Sequence, residues 1–342
     1  MKQSAKEKKG FVPLLILLAA LLCCAVVLAV CVGKYPVTPG ETLRVILCRV
    51  FGQESGLPLM TENVVLRLRI PRILASVLVG AALSSAGAAY QGIFKNPLVS
   101  PDFLGVSSGA CIGAAIAILL GLSSGWISLF AFVCGIVAVL LTMGIPALIR
   151  NRANIMLVLS GIIVGSAMSS ILGFLKYAAD PDSELAAITY WTMGNFGYVQ
   201  ANRLLPLVLV TVPPLVILLL MSWWIDVLSM GESEARALGA NVRLVRGLAI
   251  LCSTLLTAGS VCIAGTISWV GLIVPHFARL LVGPSSRRLQ PASILLGGLF
   301  MLLVDTLTRV VGSEEMPVSI MTGLIGAPVF CWLLWRQKGA AE

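Results

Sequence analysis

Long apolar runs alternate with short polar or glycine- and proline-rich breaks along nearly the whole chain. A helix that crosses the ~30 Å hydrocarbon core of a bilayer needs about 20 apolar residues. The pattern therefore predicts an all-α polytopic membrane protein with ten spanning helices. The predicted spans are 11–33, 70–92, 103–121, 126–148, 155–175, 204–224, 247–264, 265–283, 291–311 and 317–335. We expect residues 11–338 to form one ten-helix domain behind a basic tail at residues 1–10.

The charges between these spans predict which way the chain crosses the membrane. Ten spans place both termini on one side, and most basic residues also fall on that side: the tail, Lys95, Arg150, Arg152, Arg236, Arg243, Arg246, Arg287, Arg288, Arg336 and Lys338. The acidic connections "DPDSE" and "GSEE" fall on the other side. Basic residues accumulate on the cytoplasmic side of membrane proteins. We therefore predict cytoplasmic termini.

Four arginines do not follow this orientation rule. Arg67, Arg69 and Arg72 lie at the outer end of the second span, and Arg309 lies near the outer end of the ninth. Isolated outer arginines are explained by side chains that extend towards the interface, but three within six residues indicate an electropositive patch facing outwards. Asp305 lies one helical turn before Arg309, close enough to pair with it, which gives Arg309 a competing structural role.

The composition supports a membrane protein. The chain is 58% hydrophobic and 11% charged, with a mean hydropathy of +0.99, whereas soluble domains carry roughly a quarter charged residues. The formal net charge of +9 is accounted for by the span-flanking basic residues, so nucleic acid is not an expected partner. The nine cysteines lie mostly in apolar runs and the chain has one histidine, so we expect no metal site.

The motifs of enzymes are missing from the sequence. The pattern G-x-x-x-x-G-K-[ST] does not occur, so the chain shows no phosphate loop for ATP. No nucleophile–base pair stands out, and we expect neither a catalytic residue nor a bound cofactor. Ion-coupled carriers usually need intramembrane carboxylates, and Asp305 is the main one here. The scarcity of such carboxylates argues against an ion-coupled carrier that works alone, without excluding it.

One charged stretch interrupts the apolar pattern on the predicted cytoplasmic side. "GESEARALGA" (231–240) separates the sixth and seventh spans, within a segment at about 226–246. It is able to form a short helix, in which Ala235 and Leu238 are apolar and Glu232 is charged. Gly231 and Gly239 bracket it and allow sharp turns at both ends.

Four long motifs resemble one family in the same order. They are "RLRIPRILASVLVGAALSSAGAAYQGIFKNPLVSPDFLGVSSGA", "MGESEARALGANV", "GTISWVGLIVPHFARLLVG" and "DTLTR…MPVSIMTGLIGAPVFCWLL". The sequence is similar to the permeases of ATP-binding-cassette (ABC) importers for ferric siderophores, haem and cobalamin, over about residues 60–335. The resemblance implies a multi-pass protein of the bacterial cytoplasmic membrane, with ten helices in each of two permease subunits.

The resemblance also implies partners and site residues. Two ATPase subunits, which use ATP and Mg²⁺, are expected to bind the coupling segment, and a binding protein outside the membrane is expected to deliver the substrate. The implied ATPase-coupling residues are Gly231, Glu232, Ala235, Leu238 and Gly239, and the implied docking residues for the binding protein are Arg69, Arg72 and Arg309. The role of Arg67 stays open.

The expected cargo is an iron chelate. A ferric siderophore is the leading candidate, and haem and cobalamin are alternatives, because the sequence does not separate these ligands. The second permease subunit is either an identical copy or a sister chain.

Overall fold

The computed structural model describes residues 2–150, 154–311 and 315–338, and within these ranges the chain folds as helices without a strand. The α-helices are α1 (Lys2–Cys31), α2 (Pro39–Phe51), α3 (Leu59–Asn63), α4 (Ile70–Phe94), α5 (Val106–Leu119), α6 (Ser124–Leu148), α7 (Asn154–Ala178), α8 (Glu184–Met193), α9 (Leu204–Met230), α10 (Glu232–Ala237), α11 (Val242–Ala264), α12 (Val270–Val282), α13 (Ser286–Val310) and α14 (Val318–Lys338). A π-helical turn, Val64–Arg69, leads into α4.

The predicted all-α membrane architecture is confirmed. Among the described residues, seven helical segments are long and apolar enough to cross a membrane, and three shorter apolar helices accompany them. Together these ten segments correspond to the ten predicted spans. The shorter three are α5, α12 and the apolar part of α14.

Several helices extend beyond their predicted ends. The backbone of the predicted tail is already helical from Lys2 and continues into α1. At the predicted cytoplasmic side, α9 continues to Met230 and α11 begins at Val242. Hydrophobicity marks only the part of a helix inside the lipid, whereas the backbone hydrogen bonds continue until a residue such as glycine ends the helix.

Helix α4 forms the centre of the protein. It is surrounded by α9, α11, α12 and α13. In the most apolar stretch of the span that contains α4, 83% of the residues are buried, against 17% in that of α1. Residues 80–89 of α4 are glycine, alanine or serine apart from Leu83, and small side chains let neighbouring backbones approach closely. Gly80 faces the backbone of Gly297, and Gly87 faces the carbonyl of Gly271. These contacts leave no room for a methyl group.

The crossing of α4 and α12 gives a test of this packing. In Gly87→Ala, the new Cβ would lie 1.8 Å from the carbonyl oxygen of Gly271, so the helices must move apart. We expect a loss of about 1–3 kcal/mol in stability, seen as a lower thermal unfolding midpoint in detergent. Gly144→Ala in α6 is the control, since nothing lies within 4 Å of its Cβ position. Equal midpoints for the two variants would contradict the close crossing.

Candidate functional site

The cytoplasmic candidate is the coupling segment, which the structure folds as the six-residue helix α10 between α9 and α11. Gly231 ends α9 with φ 157°. Gly239 follows α10 in the left-handed region with φ 82°, where a side chain would strain the backbone. The structure therefore contains the predicted glycine-bracketed helix.

The two apolar residues singled out in the coupling segment face opposite ways. Ala235 is fully buried and belongs to the hydrophobic core beside α9 and α11. Leu238 is 54% exposed, and Met230, which the sequence analysis did not single out, is 66% exposed. Ala235 therefore anchors α10 to its own chain, and Leu238 and Met230 are the apolar side chains available to a partner.

Glu232 ties α10 to α11. Its carboxylate accepts a hydrogen bond from Arg246 at 2.5 Å and pairs with Arg236 at 3.4 Å. The hydrogen bond from Arg246 is the main cause that lowers the pKa of Glu232 below its ordinary value. Arg236 is largely exposed, whereas Arg246 is mostly covered. The bond to Arg246 is therefore the one that fixes α10 in place.

Asp226, near the end of α9, connects the coupling segment to α13. Its Oδ1 accepts the backbone N–H of Ser286 at 2.5 Å, and its Oδ2 accepts the Ser285 hydroxyl at 2.8 Å. The first N–H groups of a helix lack intrahelical partners, and a carboxylate there is favoured by the helix dipole. A side chain from one helix thus caps the first turn of another.

At the outer side, two of the predicted docking arginines hold the end of α1. Arg69 and Arg309 both donate to backbone carbonyls there. The acceptors are Val30 (2.7 Å), Cys31 (3.3 Å) and Tyr35 for Arg69, and Ala29 (3.2 Å) and Val32 (3.2 Å) for Arg309. The last carbonyls of a helix have no intrahelical donors, and cations are favoured beside them. The two arginines meet both requirements.

The third arginine, Arg72, joins two carboxylates. Its Nε donates to Oδ1 of Asp305 at 2.9 Å, and its Nη1 donates to both carboxylate oxygens of Glu315, at 2.9 and 2.8 Å. Arg309 lies 3.5 Å from Oδ2 of Asp305 through its Nε, within ion-pair range but without a hydrogen bond. The structure therefore contains the predicted pair of Asp305 and Arg309, and adds Arg72 to it.

These hydrogen bonds and ion pairs bury the arginines that the sequence predicted to form an exposed patch. Arg69, Arg72 and Arg309 are only 5%, 6% and 6% exposed, so they do not form an open electropositive surface on this chain. Arg67, whose role was left open, is the exposed member of the cluster. The sequence pattern located the cluster correctly but not its internal acceptors, because these lie on α1, α13 and the segment before α14.

An outer cavity of about 680 Å³ opens beside this cluster. Its walls come from α5, α6, α8 and α11 and from the segments around Tyr198 and Glu315. Tyr190, Trp191 and Arg203 also line it. Glu315 is 40% exposed in its side chain, so the carboxylate that binds Arg72 lies at the boundary between the buried ion pairs and open solvent.

A polar stripe on α7 was missed by the sequence analysis. Ser166, Ser169, Ser170 and Gly173 are exposed on this span, at spacings that place them on one side of the helix. Serine gains little from facing lipid, and small residues are typical of helix contacts in membranes. A period of three to four residues in the small side chains of this span is the signal that would have identified it.

The described residues hold no group of three or more histidine, cysteine, aspartate or glutamate side chains able to bind a metal ion. The arginine cluster has hydrogen-bond donors and structural carboxylates but no arrangement of nucleophile and base. Both candidate sites have features that suit contact with other macromolecules. On the cytoplasmic side, α10 is anchored to the chain and has exposed apolar side chains beside it, and on the outer side the charged cluster lies beside a cavity. With seven long and three shorter apolar helices among the described residues, these features are those of a multi-pass membrane protein.

The comparisons with known proteins show the family to which the chain belongs. The model of the FecCD transport family matches residues 19–336. The molybdate import system permease protein MolB of Haemophilus influenzae is 36% identical, over 94% of this chain and 95% of its own. The hemin transport system permease protein HmuU of Yersinia pestis is 36% identical, over 80% and 83%. A solved structure described as an inward-facing conformation of a metal-chelate type ABC transporter is 34% identical, with a TM-score of 0.85, over 95% of this chain and 99% of that one.

The chain belongs to the FecCD transport family and is the membrane permease subunit of an ABC importer. It is therefore a transport subunit rather than an enzyme, and ATP hydrolysis occurs in a separate subunit. Membership in the family implies an ATPase, a substrate-binding protein and a second permease as partners.

The tie between α10 and α11 should depend on pH. The pKa of Glu232 is lowered in the folded protein, so the tie is fully present above the ordinary glutamate pKa of about 4.3 and is lost as the pH falls through the lowered value. We expect the protection of the α10 amides, measured as their exchange rate relative to that of an unstructured peptide at the same pH, to fall in that acidic range. Glu232→Gln should show the faster exchange already at pH 7. The same exchange rate in both proteins at pH 7 would contradict the role of this carboxylate.

The ion pairs at Asp305 should be essential for stability. Asp305→Asn leaves Arg72 and Arg309 buried without their shared negative charge, a change that costs roughly 3–5 kcal/mol in buried pairs. We expect a large drop in the thermal unfolding midpoint of the purified protein. Asp182→Asn, the same change at an exposed outer position, is the control. A midpoint for Asp305→Asn equal to that of the control would show that the pairs do not stabilise the fold.

Proposed function

We propose that this permease imports an iron chelate across the bacterial cytoplasmic membrane, driven by two ATPase subunits that bind the α10 segment. The observation that carries the proposal is the exposed surface of α10, which is rigidly tied to the spans behind it. Leu238 and Met230 present apolar area, and Glu232 and Arg236 surround it with charge. A hydrophobic centre with a polar rim is the usual composition of a protein–protein contact.

Force from the ATPases would reach the membrane through the contacts that fix α10. Ala235 packs into the core, Glu232 binds Arg246 of α11, and Asp226 caps α13. A helix held at several points moves with its neighbours rather than bending away from them. Closure of an ATPase pair on α10 would therefore shift α9, α11 and α13 together. The five coupling residues, Gly231, Glu232, Ala235, Leu238 and Gly239, divide accordingly into two turns, two anchors and one contact residue.

The second permease subunit is proposed to face α7. The serine-rich stripe of Ser166, Ser169, Ser170 and Gly173 is exposed in the single chain. A second subunit, identical or a sister chain, would cover part of it, and the remainder would line a weakly polar pathway between the two. Small, uncharged side chains would let a bulky chelate slide without binding it tightly.

The outer arginines are proposed to receive the binding protein. Arg69 and Arg309 hold two positive charges in fixed positions at the end of α1. Arg72 is paired with Glu315, which lines the outer cavity. Positive charge fixed in position attracts acidic patches on a partner and orients it as it approaches. Although these arginines are buried, their positive charge still produces an electrostatic potential at the outer surface, and this potential would attract the acidic patches of the partner.

A ferric siderophore is the proposed cargo, with haem and cobalamin as alternatives within the same class. The relative named for hemin and the structural neighbour of metal-chelate type support a chelate. The relative named for molybdate, similar over nearly the whole chain, supports a small oxyanion as the second candidate. Purification of the intact complex in mild detergent, followed by mass spectrometry of subunits and bound ligand, separates these cargoes. Molybdate bound without iron would overturn the chelate proposal.

The coupling role of α10 is tested at Leu238. Leu238→Glu places a charge in the centre of the proposed ATPase contact, and we expect at least a tenfold loss of ATP-driven uptake in proteoliposomes, as expected for a contact worth about 1.4 kcal/mol or more. ATPase subunits should co-purify poorly or hydrolyse ATP without transport. Leu59→Glu, at a similarly exposed leucine on the outer side, should retain uptake. Normal uptake and assembly in Leu238→Glu would remove the coupling assignment.

A further inference from the structure

We propose that the binding protein docks on this permease by carboxylate exchange: an acidic side chain of the partner takes the place of Glu315 on Arg72. The inference rests on the proposed docking function of the outer arginines and goes beyond it. It identifies Glu315 as an internal competitor for the partner's carboxylate. It also states which of the arginines makes direct contact.

The first observation is the difference between the two carboxylates on Arg72. Asp305 is completely buried and lies on the neighbouring helix α13, whereas the Glu315 side chain is 40% exposed and lies on the wall of the outer cavity. Removing Asp305 from its arginines would leave buried charges unpaired. Glu315 can return to solvent at little cost, because part-exposed ion pairs are weak. Of the two, only Glu315 is suited to reversible release.

The second observation is an unused donor. Both oxygens of Glu315 bind one nitrogen of Arg72, Nη1, and Nη2 is buried without a hydrogen-bond acceptor in the described part of the chain. A guanidinium binds a carboxylate most strongly when two nitrogens donate in parallel. A partner carboxylate that approached across Nη1 and Nη2 would gain this arrangement and satisfy the unpaired donor. Exchange therefore improves the bonding of Arg72.

The third observation concerns the arginines on either side. Arg69 and Arg309 are committed to the carbonyls that end α1, which have no alternative donors within that helix. Displacing either one would expose several backbone acceptors at once. Arg72 is the member of the three whose partner is exchangeable. The other two supply positive potential and hold the site rigid.

Before docking, the pair of Arg72 and Glu315 protects the permease from nonspecific acidic partners. A ligand must offer a carboxylate in the right position to compete with one that is already attached. This requirement favours a protein surface that positions its acidic residue by further contacts, and it disfavours free anions. The partner is therefore a protein with an acidic side chain that projects into the outer cavity.

The test measures docking of the purified binding protein to the permease–ATPase complex in nanodiscs at low salt. Glu315→Gln removes the competing charge, and we expect docking to tighten by about fivefold, the factor expected for a part-exposed ion pair. Asp182→Asn, which removes one negative charge at an exposed outer position, controls for the general rise in positive potential. Thermal unfolding of each variant checks that the fold is intact.

Arg72→Lys separates the exchange from docking itself. Lysine keeps a positive charge for Asp305 but lacks the two-nitrogen fork, so docking should weaken, and adding Glu315→Gln should then give no gain. If Arg72→Lys weakens docking while Glu315→Gln leaves it unchanged or weaker, exchange is wrong and docking on the arginines stands. If neither change affects docking, the proposed docking function of Arg72 fails as well.

Discussion

The carboxylate of Asp305 is the charge on which the outer end of this permease depends. It lies fully buried between Arg72 and Arg309, in a region where unpaired charges are very costly. Because Asp305 holds these arginines, Arg309 is positioned to cap α1 and Arg72 to reach Glu315. One buried carboxylate thus links α1, α4 and the segment that leads into α14. The rigidity of the outer end follows from this arrangement.

At the cytoplasmic side the same physical problem has a different solution. Water is available there, so the charges of α10 need not be buried, and the side chains of Glu232 and Arg236 are 47% and 69% exposed. Rigidity comes instead from Ala235 in the core, from the hydrogen bond between Glu232 and α11, and from the two hydrogen bonds that Asp226 of α9 accepts at the start of α13. Such a segment resists displacement but keeps a wet, charged surface that a soluble partner can bind and release. The two ends are therefore built for different kinds of contact.

The sequence predicted what depends on local patterns. Apolar runs located the ten spanning segments, and Gly231 and Gly239 marked the ends of the short coupling helix, since a glycine turn is a local property. The side-chain contacts were not predictable in this way. Arg72 and Glu315 are 243 residues apart in sequence, and Asp226 caps a helix that begins 60 residues later. The inward direction of Ala235 likewise depends on how α9 and α11 pack, which no pattern within α10 reveals.

Helix α13 has a carboxylate attachment at each end. Asp226 of α9 binds its first residues, and its own Asp305 binds Arg72 of α4. At ~1.5 Å per residue, the distance between these attachments is roughly 28 Å. A continuous helix of that length transmits displacement along its axis with little loss. Free-energy coupling between two binding events is reciprocal. An importer built around such a helix would report the occupancy of its outer face to the ATPases, and the nucleotide state of the ATPases to its outer face, through the same element.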